Sequence, residues 1–188
     1  MPANQILQYL PSLRVFFAPE TSIFTKKRVF EEASVLFQSS GIPRQMSFNA
    51  FVNRERLGNT TLGRGTAVPH ARLKGMASPM VALVILPRPI PVDPVPSDGK
   101  PVDLFLFLLV PDDGDDDSYL GLLHECIAML DDADVCSKLR NCQHPVEACE
   151  VVLNWKPPES LAVKAQKDEL VQDWAEYEKE RRQVGKDF

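Results

Sequence analysis

Two nearly uninterrupted apolar runs, Met80–Leu86 (MVALVIL) and Val102–Val110 (VDLFLFLLV), constrain this chain most. They are too short for buried helices and too apolar for strands with one wet face. They therefore read as strands covered on both faces. Such strands need a layer of helices on each side, and the sequence supplies them. Val29, Phe30, Ala33, Leu36 and Phe37 recur at helical spacing over 26–40, with Thr25 able to cap the start and Gly41 to end it. A second short helix is expected over 44–56, with Phe48, Phe51 and Val52 on one side. A third carries Leu120, Leu123, Ile127 and Leu130. Further helices are expected from about Ala133 to Asn141 and from Pro145 to Leu153. Helices flanking strands without strict alternation predict an α/β sandwich around a small mixed sheet.

Between the two runs lie Pro87, Pro89, Pro91, Pro94, Pro96 and Pro101. Prolines fix φ and remove amide donors, so this stretch is expected to be a surface connection. Pro111–Ser118 is an acidic loop. Its aspartates do not match the twelve-residue calcium loop, because Gly114 comes too early and no glutamate stands at the closing position. Acidic residues ahead of a helix are explained by the helix dipole and by solvation. After Pro157-Pro158, residues 159–183 are mostly helix formers. Leu170, Trp174 and Tyr177 share one face, and Glu178 and Arg182 are spaced for an ion pair. The chain thus divides into a domain over 1–156 and a charged helical extension over 157–188, expected to pack across the body or pair subunits.

At 188 residues the chain can bury one substantial core, and 44% hydrophobic with 25% charged residues is ordinary for a globular protein. A net charge of −5 argues against nucleic acid as the main partner. No apolar run approaches the ~20 residues needed to span a bilayer, and no basic start with a following apolar stretch marks a signal peptide. The expected place is the cytoplasm. Cys126, Cys136, Cys142 and Cys149 include no Cys-x-x-Cys pair. They read as free thiols in a reducing compartment, and neither a metal nor a cofactor is called for. No Gly-x-Ser-x-Gly elbow supports a serine hydrolase.

The chemistry concentrates in Arg54–His70 (RERLGNTTLGRGTAVPH). Gly58, Gly63 and Gly65 alternate with Thr60, Thr61 and Thr66, a composition that suits a loop with short extended pieces. His70 follows Pro69 at its end, and Arg54 lies sixteen residues upstream. A neutral imidazole is a good nucleophile near pH 7. A phosphoryl group on its nitrogen is reactive and can move on. Transfer passes through a loose transition state whose charge sits on three oxygens, so positive and hydrogen-bonding groups around them do most of the work. Arg54 offers a planar fork, Thr60 a hydroxyl, and Gly63 and Gly65 close backbone approach. Such a ring has to be accessible to its donor.

Arg54-Glu-Arg-Leu-Gly-Asn-Thr60 followed by Leu62-Gly-Arg-Gly-Thr-Ala-Val-Pro-His70 resembles the active-site signature of enzyme IIA proteins of the phosphoenolpyruvate phosphotransferase system. The nitrogen-regulatory branch is the nearest in pattern, beside the mannitol and fructose type. The similarity extends through Pro101–Leu104 and Leu108–Pro111 and covers about residues 15–153. It implies a mixed sheet of about five strands flanked by helices on both faces. It implies phosphorylation of His70 by a histidine-phosphocarrier protein, with Arg54 binding the phosphate, while Thr60 with the Gly63–Gly65 turn is the hydrogen-bonding cradle read from the residues themselves. Downstream, it implies a regulated kinase, transporter or permease. The family usually has a second histidine at the start of the helix after the acidic loop. Tyr119 stands there instead, able to donate one hydrogen bond but no positive charge. His124 lies five residues further on and is not assigned that role. Ala71 stands where the family often has glycine. Two other readings remain open: a binding module that kept the fold but transfers poorly, and the soluble component of a sugar permease.

Overall fold

The computed structural model describes residues 13–18, 25–112 and 119–158. The elements in chain order are β1 (Arg14–Phe17), α1 (Lys26–Gln38), α2 (Arg44–Glu55), β2 (Thr61–Gly63), β3 (Thr66–Ala67), β4 (His70–Leu73), β5 (Met80–Ile90), β6 (Val102–Pro111), α3 (Leu120–Asp131), α4 (Ala133–Asn141) and α5 (Pro145–Asn154). The expected helix over 159–183 lies outside the described residues.

The two apolar runs are neighbours at the centre of the sheet. β5 and β6 pair antiparallel, with Leu83 opposite Leu106 and Val84 opposite Phe105. Strand alternation then sorts the side chains into two cores. Leu83, Ile85, Leu104, Leu106, Leu108 and Val110 face α3, α4 and α5, where Leu122, Leu123, Cys126, Leu139 and Val152 meet them. Ala82, Val84, Phe105, Phe107 and Leu109 face α1 and α2. On this second face Phe107 takes Phe30 and Phe51 edge-on, with ring centroids 5.2 and 5.1 Å away. Edge-to-face aromatic pairs of this kind add about 0.5–1.5 kcal/mol beyond their buried area, so Phe107 fixes both helices to the sheet.

β1 runs parallel to β5, while β3 and β4 both run parallel to β6, at Leu104–Phe105 and at Leu108–Pro111 respectively. β2 closes against β3. Among the described residues the sheet has six strands, where about five were expected. A second difference concerns the prolines. β5 continues through Pro87 and Pro89 to Ile90, which pairs with Val102 after a register shift. Residues 87–89 face solvent, so their missing ladder donors cost nothing there.

Helix starts follow local chemistry. Thr25 Oγ1 accepts the Arg28 amide at 3.2 Å, Asp132 caps α4, and His144 Nδ1 accepts the Val146 amide at 3.2 Å ahead of Pro145. His144 is thus a cap rather than a site residue. All four cysteines are free, and burial pushes the Cys126 thiol up, which makes it inert.

Candidate functional site

His70 is held by the β6 ladder rather than by a loop. The Leu108 amide donates to the carbonyl of Pro69 at 2.9 Å, and His70 then pairs with Leu108 as the first residue of β4. Pro69 cannot donate but accepts, so the chain enters the strand with its one available backbone group satisfied. Alternation places His70 and Arg72 on the face of Leu108 and Val110, where α3 packs, and Ala71 on the other.

The ring is 1% exposed. The expected open imidazole is therefore corrected: the residue sits at the end of the sheet between helix layers. His70 Nδ1 lies 2.8 Å from the carbonyl oxygen of Val68. A carbonyl only accepts, so Nδ1 carries the hydrogen and Nε2 carries the lone pair. Burial, reinforced by the Arg54 charge and opposed by the Val68 carbonyl, lowers the His70 pKa to about 3. The ring is neutral across the physiological range, in the nucleophilic form.

Arg54 lies in the last turn of α2, one turn after Phe51, whose packing against Phe37 and Phe107 anchors that helix. Its guanidinium is also 1% exposed, and Nη1 donates to the Gly58 carbonyl at 3.1 Å. The Arg54 charge acts on His70 through the low-dielectric interior that both occupy, disfavouring protonation of the ring.

The remaining expected cradle does not assemble around them. Thr60 is buried, and its hydroxyl donates to Glu55 Oε2 at 2.8 Å. Having one proton, it has none left for a phosphoryl oxygen in this arrangement. Gly63 and Gly65 have φ of +86° and +79° and flank Arg64 at +53°, forming the tight β2–β3 turn. That turn lies beside Asp103 at the opposite end of β6 from Leu108, roughly 15 Å along the strand at ~3.3 Å per residue. It does hold an anion, but the anion is the chain's own: the Arg64 amide donates to Asp98 Oδ2 at 2.6 Å. The amides of Arg64 and Lys100 hold the Asp98 carboxyl below the usual carboxylate range. Arg140 closes the other side, pairing with Asp103 at 2.8 Å and donating to the Arg64 carbonyl at 2.9 Å. The turn is a clamp in the scaffold.

Tyr119 immediately precedes α3 and packs, half-buried, against the first core, as does Leu62. His124 is half-buried one turn into the same helix. One further buried charge shares the strand face of His70. Arg72, 5% exposed, stands two positions after His70 on the same face of β4, with Nη1 3.4 Å from the Pro111 carbonyl. The spacing of two is visible in the sequence, but it puts both side chains on one face only in a strand, and the Gly/Thr-rich composition before His70 predicts a loop.

The family model for the phosphoenolpyruvate-dependent sugar phosphotransferase system, EIIA 2, matches residues 9–155. A nitrogen regulatory protein of Pseudomonas aeruginosa is 42% identical over 119 residues, which is 62% of this chain and 75% of that protein. The nitrogen regulatory protein of Escherichia coli is 34% identical over 130 residues, or 68% of this chain and 78% of that protein. The crystal structure of the nitrogen regulatory protein IIA-Ntr from Neisseria meningitidis superposes with a TM-score of 0.65 at 29% identity, covering 76% of this chain and 94% of that one. With the mixed sheet and the match over most of its length, the chain belongs to the EIIA 2 family of the phosphotransferase system, whose members are phosphotransfer proteins.

Proposed function

We propose that this chain accepts a phosphoryl group on Nε2 of His70 from a histidine-phosphocarrier protein, and that it works as a regulator of the nitrogen-regulatory type. The observation that carries this reading is the Nδ1–Val68 contact beside a buried guanidinium. It leaves one nitrogen unprotonated, fixes the ring plane and places positive charge next to it. In the transfer, the Nε2 lone pair forms a P–N bond as the donor's P–N bond breaks, and the donor recovers its neutral imidazole. Arg54 stabilises the charge on the equatorial oxygens. Because the ring is 1% exposed, docking of the donor has to displace what covers Nε2. Tyr119 is the auxiliary donor in this scheme, contributing a hydrogen bond where the family usually has a second histidine.

The names of the relatives support a regulatory output, directed at a kinase, transporter or permease. Among the described residues no helix is long and apolar enough to cross a membrane, which accords with a place in the cytoplasm. The match ending at residue 155 supports treating 157–188 as a separate extension. Burial of the ring and Tyr119 favour the second reading, a binding module that transfers poorly. Intact-mass measurement after incubation with the phosphorylated donor separates them. One acid-labile phosphoryl group that His70→Ala abolishes establishes the relay. Label persisting in His70→Ala moves the acceptor elsewhere, and an unmodified wild type that still binds partners favours the module.

A further inference from the structure

Arg54 and His70 come from different elements, a helix end and a strand start, yet each is oriented by a backbone carbonyl: Gly58 for the guanidinium and Val68 for the ring. A single side-chain pair ties those two carbonyls together. Glu55 directly follows Arg54, and its side chain is 10% exposed. Its Oε2 accepts the Thr60 hydroxyl at 2.8 Å, and its Oε1 accepts the Thr60 amide at 3.4 Å. Lys26 Nζ lies 3.3 Å from the same Oε1 and anchors the carboxylate to the start of α1. The loop closed by this contact contains Gly58. Thr60 in turn accepts the Val68 amide on its own carbonyl at 2.9 Å, and Val68 then receives the His70 Nδ1 hydrogen. The sequence Glu55, Thr60, Val68, His70 is a continuous series of hydrogen bonds. Its first member is covalently next to Arg54.

We infer that Glu55 and Thr60 are a positioning pair for phosphoryl transfer: the carboxylate holds Thr60 so that the Gly58 and Val68 carbonyls orient Arg54 and His70, with the ring hydrogen kept on Nδ1. Thr60 thereby acts through the loop and not as a ligand of the phosphoryl group. Misplacement of reacting groups by about 1 Å can cost about 10²-fold in rate, so a pair that sets this geometry is felt in turnover more than in donor binding. The inference rests on the relay reading for its kinetic part, but the ring tautomer is a property of the unphosphorylated protein.

The test uses the full chain with Thr60→Val, Thr60→Ser and Glu55→Gln. Heteronuclear NMR of the His70 ring reports which nitrogen carries hydrogen. Transfer from the phosphorylated carrier protein gives kcat and KM. Wild type and Thr60→Ser should show the Nδ1–H tautomer and similar turnover. Thr60→Val and Glu55→Gln should show a mixed or altered ring signature, with kcat down by about tenfold or more and KM nearly unchanged. An unaltered tautomer in both Thr60→Val and Glu55→Gln overturns the inference. So does a loss in Thr60→Ser as large as in Thr60→Val, which would assign the effect to packing of the methyl group. Should Thr60→Val not fold, Glu55→Gln alone decides by the same ring signature. A wild type that accepts no phosphoryl group refutes the relay, and the ring signature still decides the positioning role.

Discussion

Acid should destabilise this protein in a way traceable to one ring. His70 has a pKa of about 3 in the fold, set first by burial and then by Arg54, against about 6.5 in the unfolded chain. The folded value is the lower one, so above pH 6.5 neither state binds the proton and His70 contributes no pH dependence. As pH falls below 6.5 the unfolded chain takes up a proton that the native ring refuses, and stability is lost at up to about 1.4 kcal/mol per pH unit until about pH 3. Between pH 7 and pH 5 the loss from this ring is about 2 kcal/mol. Urea unfolding of wild type and of His70→Gln at both pH values isolates it, because His124 and His144 are common to both proteins. Wild type should lose about 2 kcal/mol more than His70→Gln over that interval. Equal losses would mean that the folded ring takes up a proton near pH 6.5, and the claim of a buried, neutral nucleophile would fail.

Three further outcomes follow from the site. Arg54→Met should slow phosphoryl acceptance roughly 10²-fold, and an NMR titration should show the His70 pKa rising toward, but staying below, its ordinary value, because burial remains. Gly65→Ala should lower stability by about 1–3 kcal/mol, since a Cβ at φ +79° would lie 2.9 Å from Arg140 Nη2. Its transfer rate per folded molecule should match wild type, and a large loss would return the turn to the phosphate site. Tyr119→Phe should cost no more than about tenfold in transfer, the net worth of one neutral hydrogen bond. A loss as deep as that of Arg54→Met would give Tyr119 a larger role.

The layered architecture was legible because the two apolar runs leave no other arrangement, and the phenylalanines of α1 and α2 recur at helical spacing. The limit of β5 was not, because Pro87 and Pro89 look like strand breakers unless their solvent-facing position is known. β4 has only four residues and a mixed composition. It is a strand because the Leu108–Pro111 edge of β6 was free to pair, which is tertiary information. Arg54 was legible as a candidate partner of His70 from residue type and from the resemblance, but its burial at the end of α2 depends on how that helix packs. The Gly63–Gly65 turn misled for a related reason. Positive φ was legible in the glycines, but the ligand of the turn was not, because Asp98 comes from a distant segment.

The single edge of β6 that carries β3 and then β4 has a consequence for tolerance to change. Val68-Pro69 spans the gap between two partners of one ladder, so its length works as a gauge. Inserting or deleting one residue there would turn the imidazole to the Ala71 side, beneath α1 and α2, while leaving the rest of the sheet intact. The two-residue spacer before the histidine thus decides which helix layer the ring faces.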